Sequence, residues 1–342
     1  MRTSDFSYEL PPELIAQTPI EPRDHSRLLV INRADGSLQH RRFFEIGEFL
    51  HPGDLLVFND SRVIPARLRG RKVGSNGKVE LLLLRPMEPR LWQALARPGR
   101  RLQPGAKLRF DAPTKSYQAE IIKKNEDGTV LVTLEDEAMI EACGQVPLPP
   151  YIHERLDDPE RYQTVYAREK GSVAAPTAGL HFTQGLLERL RAQGVGMAFV
   201  TLHIGLDTFK PVDEEDPREH RLHSEFAILP EETAQKVNET REKGGRVVAV
   251  GTTAVRTLES AAKVAGEGQR VAPYSGWTEI MILPGHEFKA VDAIVTNFHL
   301  PRSTLLMLMS AFAGKRSTDR AYAEAVKERY RFYSFGDAMA IL

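Results

Sequence analysis

Apolar and polar positions change their rhythm twice along this chain. Residues 27–32 (RLLVIN) and 53–61 (GDLLVFNDS) are continuous apolar runs bounded by turn residues, which predicts buried strands, with a short helix over 43–50 between them. From Arg67 onward the pattern breaks into short β-like runs at 78–84, 92–96, 107–110, 117–123 and 129–135, separated by Gly and Asp-Gly turns. Five strands at that spacing predict a small sandwich or barrel. After the proline-rich stretch 146–151 the longer periods return. Helices are predicted over 185–193, 230–243, 253–265, 303–313 and 319–329, and strands over 196–202, 246–250, 280–283 and 293–296. The predicted fold is a mixed α/β domain, open or barrel-like, built from residues 1–61 and 151–342, with a small all-β, barrel-like domain inserted at 62–150.

Four segments fit neither period: 174–183 (AAPTAGLHFT), 201–209 (TLHIGLDTF), 251–260 (GTTAVRTLES) and 296–304 (TNFHLPRST). Each begins in or after a predicted strand, and at least three lead into a helix, so each is a candidate strand-to-helix turn. In α/β folds such turns gather at the carboxyl ends of strands, where ligands bind. Four of them within about 130 residues predict one assembled site.

Composition sharpens the picture in two places. Formal charge sums to zero, yet residues 62–124 carry 16 basic and 4 acidic side chains, a phosphate-backbone footprint as much as a solvated β surface. The basic run singled out is Arg62, Arg67, Arg69, Arg71 and Lys72 with Arg97, Arg100, Arg101 and Lys107, and of these Arg62, Arg67, Arg69, Arg97, Arg100 and Arg101 are the expected tRNA contacts. The single cysteine, Cys143, excludes an internal disulfide and a Cys-cluster metal site, and it fits a reducing compartment. No secretory signal opens the sequence, and the longest apolar run, 305–314, is about half of the ~20 residues a membrane span needs. A soluble cytoplasmic protein is expected.

His181, His203 and His299 each stand in one of the four segments, and imidazole is the side chain most readily poised for proton transfer near neutral pH. Taken singly, each reads as well as a structural histidine bonded to a carbonyl. Their spacing suits no metal, and no metal site is expected. Gly251, Thr252 and Thr253 would place backbone N–H groups at a helix start that favours a carboxylate or phosphate, although a threonine there also serves as a plain N-cap. Arg256 and Glu259, three residues apart on that helix, read either as a surface ion pair or as ligand anchors. Asn59 and Asp60 end a buried strand at the predicted domain junction. Phe182, Phe209, Trp277 and Phe298 could stack on a base or belong to the core.

Taken together, these segments resemble one family. Residues 5–12 (DFSYELPP), 15–19 (IAQTP), 52–67 (PGDLLVFNDSRVIPAR), 146–152 (VPLPPYI), 162–166 (YQTVY), the four segments above and 334–339 (SFGDAM) are similar, in order and from end to end, to the S-adenosylmethionine:tRNA ribosyltransferase-isomerases of queuosine biosynthesis. Leu222 stands where that family usually has Met. The resemblance implies transfer of the ribosyl portion of S-adenosylmethionine to the aminomethyl group of a 7-deazaguanine base in tRNA, leaving epoxyqueuosine and releasing adenine and methionine. It implies S-adenosylmethionine as co-substrate, no prosthetic group, a monomer, and no membrane partner. The chemistry needs a base at the ribose 5′ carbon, acidified by the sulfonium, and help for departing adenine. On that reading His181 or His299 moves protons, Asp60 and Glu259 orient ribose hydroxyls or the base, and Thr252, Thr253 and Arg256 receive the methionine carboxylate. Thr177, His203, Asn59 and Phe298 complete the expected substrate contacts.

Three other functions stay in view: a tRNA-binding protein with an inert α/β scaffold, a methyltransferase, and a hydrolase. The sequence lacks the glycine-rich turn of a methyltransferase after its first strand and the G-x-S-x-G elbow of a serine hydrolase.

Overall fold

The computed structural model describes residues 1–205, 212–222 and 224–342. Phe209 and His223 lie outside the described residues. The chain divides into two compact units, one of residues 1–61, 149–169 and 175–342, the other of residues 62–148 and 170–174.

The strands in chain order begin with β1 (Arg27–Ile31), β2 (Leu38–Arg42) and β3 (Leu55–Asn59), then a short β4 (Ser61–Val63). Next come β5 (Arg67–Lys72), β6 (Lys78–Glu88), β7 (Leu91–Arg97), β8 (Lys107–Asp111), β9 (Ser116–Lys124) and β10 (Val130–Leu134). The remainder are β11 (Gly144–Gln145), β12 (Glu169–Ser172), β13 (Gly196–Leu202), β14 (Glu225–Leu229), β15 (Val247–Val250), β16 (Tyr274–Thr278), β17 (Ala293–Asn297) and β18 (Ala338–Ile341). The helices are α1 (Ala138–Cys143), α2 (Gln184–Ala192), α3 (Glu231–Glu242), α4 (Thr252–Lys263), α5 (Thr304–Ala313) and α6 (Lys315–Lys327).

The larger unit is a nine-stranded sheet in the order β16-β14-β13-β3-β15-β17-β18-β1-β2. Among the described residues no pairing joins its two edges, so of the open and barrel-like forms it takes the open one. Its centre is parallel: β13, β3, β15 and β17 run side by side in one direction. Both faces are covered, which explains the continuous apolar runs. Leu55, Val57, Val200, Ala249 and Ile294 pack on one side with residues of α3 to α6, while Leu56, Phe58, Val248, Val250 and Val295 pack on the other with Leu186, Leu187 and Leu190 of α2.

The strand predicted at 280–283 is absent. The edge strand is β16, which pairs with β14, and Ile280 and Ile282 are buried without joining a ladder. A polar sequence with a central Gly276 hid the real strand, while the apolar pair was a packing signal read as a pairing one.

The smaller unit winds β5, β6, β7, β10, β9 and β8 into a closed barrel through an added β5–β8 pairing, with β11 extending beside β5. Closure brings two backbones together at Gly70, where an added Cβ would lie 2.3 Å from the Arg109 carbonyl oxygen and 2.6 Å from the Phe110 ring. Leu68, Leu81, Leu83, Leu108, Phe110 and Ile121 fill the interior.

Candidate active site

Parallel β13, β3, β15 and β17 release their chains at the same sheet edge, so the segments that follow them converge. All four segments contribute to one cavity of the larger unit: Ala175 to Ala178 from the first, Ile204 from the second, Gly251 to Thr253 from the third, and Thr296 to Leu300 from the fourth, with Tyr151, Ser303, Tyr333 and Ser334 completing the wall. The empty space of the cavity, counting its opening to solvent, is about 630 Å³.

One wall is a helix N-terminus. Gly251 sits at φ 88°, a left-handed conformation that turns the chain from β15 into α4, and its amide is held by the Val295 carbonyl at 2.7 Å. Gly251 has no side chain to cap the helix, so the first-turn N–H groups at Thr252 and Thr253 lack a capping acceptor. Such an end attracts an anion. Beneath it, the Asn59 amide nitrogen donates to the Leu202 carbonyl and to the Thr253 hydroxyl, and its oxygen accepts from the Ser61 and Leu202 amides. Asn59 therefore braces the site and does not line the cavity.

His299 lines the cavity. Its Nε2 lies 2.9 Å from the Thr296 hydroxyl, its backbone amide donates to the Tyr322 hydroxyl, and its carbonyl accepts from the Tyr8 hydroxyl. Burial pushes its imidazole down to about 3, so the ring is neutral near pH 7. His181 is pushed equally low by burial, with repulsion from Arg331 second. It is not on the cavity wall; it stacks on Phe43 behind Asn297, which is. The partners of Asn297 fix the His181 tautomer. Asn297 Nδ2 faces the Tyr333 carbonyl, a pure acceptor, so this atom is the amide donor, and its second hydrogen goes to His181 Nε2 at 3.1 Å. The proton of His181 is thus on Nδ1, donated to the Ser26 hydroxyl at 2.7 Å.

The profile of the queuosine biosynthesis protein family matches residues 3–341. Proteins named S-adenosylmethionine:tRNA ribosyltransferase-isomerase from Symbiobacterium thermophilum and Dehalococcoides mccartyi are each 54% identical over the whole of both chains. The crystal structure of the S-adenosylmethionine tRNA ribosyltransferase from Thermotoga maritima is 45% identical, with 99% of this chain and 100% of that chain covered, at a TM-score of 0.59. The chain belongs to the queuosine biosynthesis family.

In this family member several residues expected at the cavity stand elsewhere. Glu259 is buried and gives both oxygens to the backbone amides of Lys289 and Ala290 and to His286, so it latches a loop and has no oxygen turned to the cavity wall. Arg256 pairs with Glu225 inside the unit, and Glu225 also accepts from the Gly205 amide at 3.0 Å. The remaining guanidinium nitrogens of Arg256, Nε and Nη2, are buried without a hydrogen-bond partner among the described residues. Asp60 accepts from Thr201 and Arg168, and burial raises its pKa against both of these partners. Burial also lowers the His203 imidazole, whose Nδ1 lacks a partner. Phe298, by contrast, does line the cavity, and its ring also joins an aromatic core with Tyr322, Tyr330 and Phe332. Phe182 packs edge-on to Phe43 and Phe58, while Trp277 is half exposed on the edge strand β16.

Of the cations, Arg67 and Arg69 stand on β5, Arg97 ends β7, and Arg100 and Arg101 follow in the loop before β8; Arg62 opens the smaller unit. Among the described residues no group of three or more His, Cys, Asp or Glu side chains could hold a metal. No described helix is long and apolar enough to cross a membrane. Sequence reasoning missed Asn297, Tyr151, Ser303 and Ser334. Asn297 stood inside a segment already singled out, just before Phe298 and His299, whose rings drew the attention.

Proposed function

We propose that this protein transfers and isomerises the ribosyl group of S-adenosylmethionine onto the 7-aminomethyl-7-deazaguanine base of tRNA, giving epoxyqueuosine in tRNA with release of adenine and methionine. The observation that carries the proposal is a cavity formed by all four singled-out segments, with an uncapped helix N-terminus and a buried neutral histidine on its wall. It stands in a chain aligned end to end with relatives of that name. The first-turn amides of α4, with Thr252 and Thr253, receive the methionine carboxylate, where the helix dipole favours negative charge. His299, neutral at working pH, accepts a proton from the ribose 5′ carbon, whose acidity the neighbouring sulfonium raises. His181 acts through Asn297 by holding its amide in one orientation. Thr177, which also lines the cavity, contacts the ligand. The buried face of Arg256 and the Asp60–Thr201–Arg168 cluster stiffen the surrounding loops. The protein works as a cytoplasmic monomer with S-adenosylmethionine as co-substrate and no prosthetic group.

The test is incubation with S-adenosylmethionine and tRNA carrying the aminomethyl-deazaguanine precursor, followed by mass analysis of small molecules and digested nucleosides. Adenine and methionine released together with a ribosyl-sized gain on the base is the expected result. S-adenosylhomocysteine would mean methyl transfer instead, and tRNA binding without turnover would mean a scaffold.

A further inference from the structure

One face of the barrel carries like charges where a sheet disfavours them. Inward alternation of Leu68, Val79, Leu81, Leu108 and Phe110 turns Arg69, Arg71, Lys78, Glu80 and Arg109 outward. The register sets Arg71 of β5 directly opposite Lys78 of β6 on one side and opposite Arg109 of β8 on the other. Three cations therefore stand in one row across three adjacent strands, a width of about 10 Å. Like charges directly opposite one another destabilise a sheet. Among the described residues Arg71 and Lys78 make no ion pair, while Arg109 is held by Asp111 of its own strand at 2.8 Å. The neighbouring row is balanced, since Glu80 stands between Arg69 and Arg97 and bonds Arg69 at 3.1 Å. Arg69, Arg71, Lys78 and Arg97 line one groove on this face together with the carboxylates Glu80 and Asp111, and Arg109 stands outside its lining.

We propose that the row Lys78–Arg71–Arg109 is a phosphate-binding surface for the tRNA backbone. It rests on the reading that the modified base is carried by tRNA, and it joins Arg71, a cation singled out by sequence, with Lys78 and Arg109, which were not. The occupant follows from the chemistry: three cations in one row, with the Asp111 carboxylate offsetting one of them, are relieved by a row of phosphates, and the contact reads charge rather than bases. Repulsion built into the free barrel is then removed on binding.

The experiment is fluorescence anisotropy with unmodified tRNA between 50 and 200 mM KCl, comparing the full chain with its Arg71→Gln/Lys78→Gln/Arg109→Gln variant. The expected result is binding weaker by about tenfold or more, with the slope of log affinity against log salt less steep by about 2 to 3. The melting temperature stays level or rises, because the repulsion is gone. In turnover assays the loss falls on KM for tRNA and not on KM for S-adenosylmethionine. The single Lys78→Gln variant, at the exposed start of β6, reduces the slope by about 1, and it decides the matter if the triple variant does not fold. An unchanged slope overturns the assignment, as does equal weakening by Arg189→Gln/Arg191→Gln/Lys243→Gln, which removes the same charge from α2 and the end of α3. Absence of ribosyl transfer by the unaltered protein would instead sink the reaction proposed above.

Discussion

His181 and His299 show how one physical cause can serve two roles. Both imidazoles are pushed from 6.5 to about 3 by burial, but only His299 reaches the cavity wall. Because the folded values lie below the unfolded one, the unfolded chain binds more protons between about pH 6.5 and 3. Both histidines therefore contribute stability that is fully present above pH 6.5 and is lost as pH falls through that window. Urea unfolding of His181→Gln should show a flatter decline of stability with acid than the unaltered protein. At the active site, His299→Ala should lower kcat by about 10²-fold or more, the share of a positioned proton-transfer group, with KM for S-adenosylmethionine changed much less. Asn297→Asp tests the tautomer argument. A carboxylate only accepts, so it cannot donate to His181 Nε2 or to the Tyr333 carbonyl. The imidazole should then titrate at higher pH, visible by NMR, and turnover should fall. Had Asn297→Asp left both unchanged, His181 would be a core residue with no link to the site.

At the scale of elements, glycine positions decide where the cavity opens. Gly251 is left-handed, so Gly251→Ala strains the β15–α4 turn at a cost of about 1–2 kcal/mol even though an added Cβ would meet nothing closer than 3.5 Å. Weaker S-adenosylmethionine binding should accompany the lower stability, since the turn aims the first amides of α4. Gly179 is restricted by space instead: its Cβ would lie 2.0 Å from the Tyr166 hydroxyl and 3.0 Å from the ring carbon that bears it. Gly179→Ala should destabilise by about 1–3 kcal/mol, and adding Tyr166→Phe should recover part of that loss by removing the nearer atom. No recovery in the double-mutant cycle would place the clash elsewhere. The element record also explains what was legible. β1, β3, β13, β15 and β17 were readable because a sheet covered on both faces demands unbroken apolar runs. β5 (RLRGRK) was not, because its outward positions are cations and one inward position is Gly70. Nor was β2 (LQHRR), an edge strand with little buried surface.

Over the whole molecule, the two ends of the chain are knitted into one sheet. β3, from the first 61 residues, lies between β13 and β15, and β18, the last strand, lies between β17 and β1. Deleting residues 338–342 removes the only strand that pairs β1 to β17 among the described residues. A drop in melting temperature of well over 5 °C is expected, about 2–4 °C per kcal/mol lost at this size, with residues 27–42 becoming exposed to protease. A truncated chain that melted within a degree of the full one would mean that β1 and β2 are held by their packing alone.

The sequence by itself determined the class of the parallel core strands and of the helices that follow them, the basic tract of residues 62–124, the four segments of the site and the family they resemble. Those features are local: periodicity, turn chemistry and charge are written in neighbouring residues. Only tertiary structure decided what each polar side chain does. Arg256 and Glu259 are three apart on α4, yet one meets Glu225 and the other the backbone at 289–290, while Asn297, just before Phe298 and His299 in sequence, took a place on the wall. A buried polar group answers to whichever partner the fold brings within hydrogen-bond reach, and that partner is usually distant in sequence. The row of Lys78, Arg71 and Arg109 is of the same kind, since strand register sets it and no window of sequence contains it.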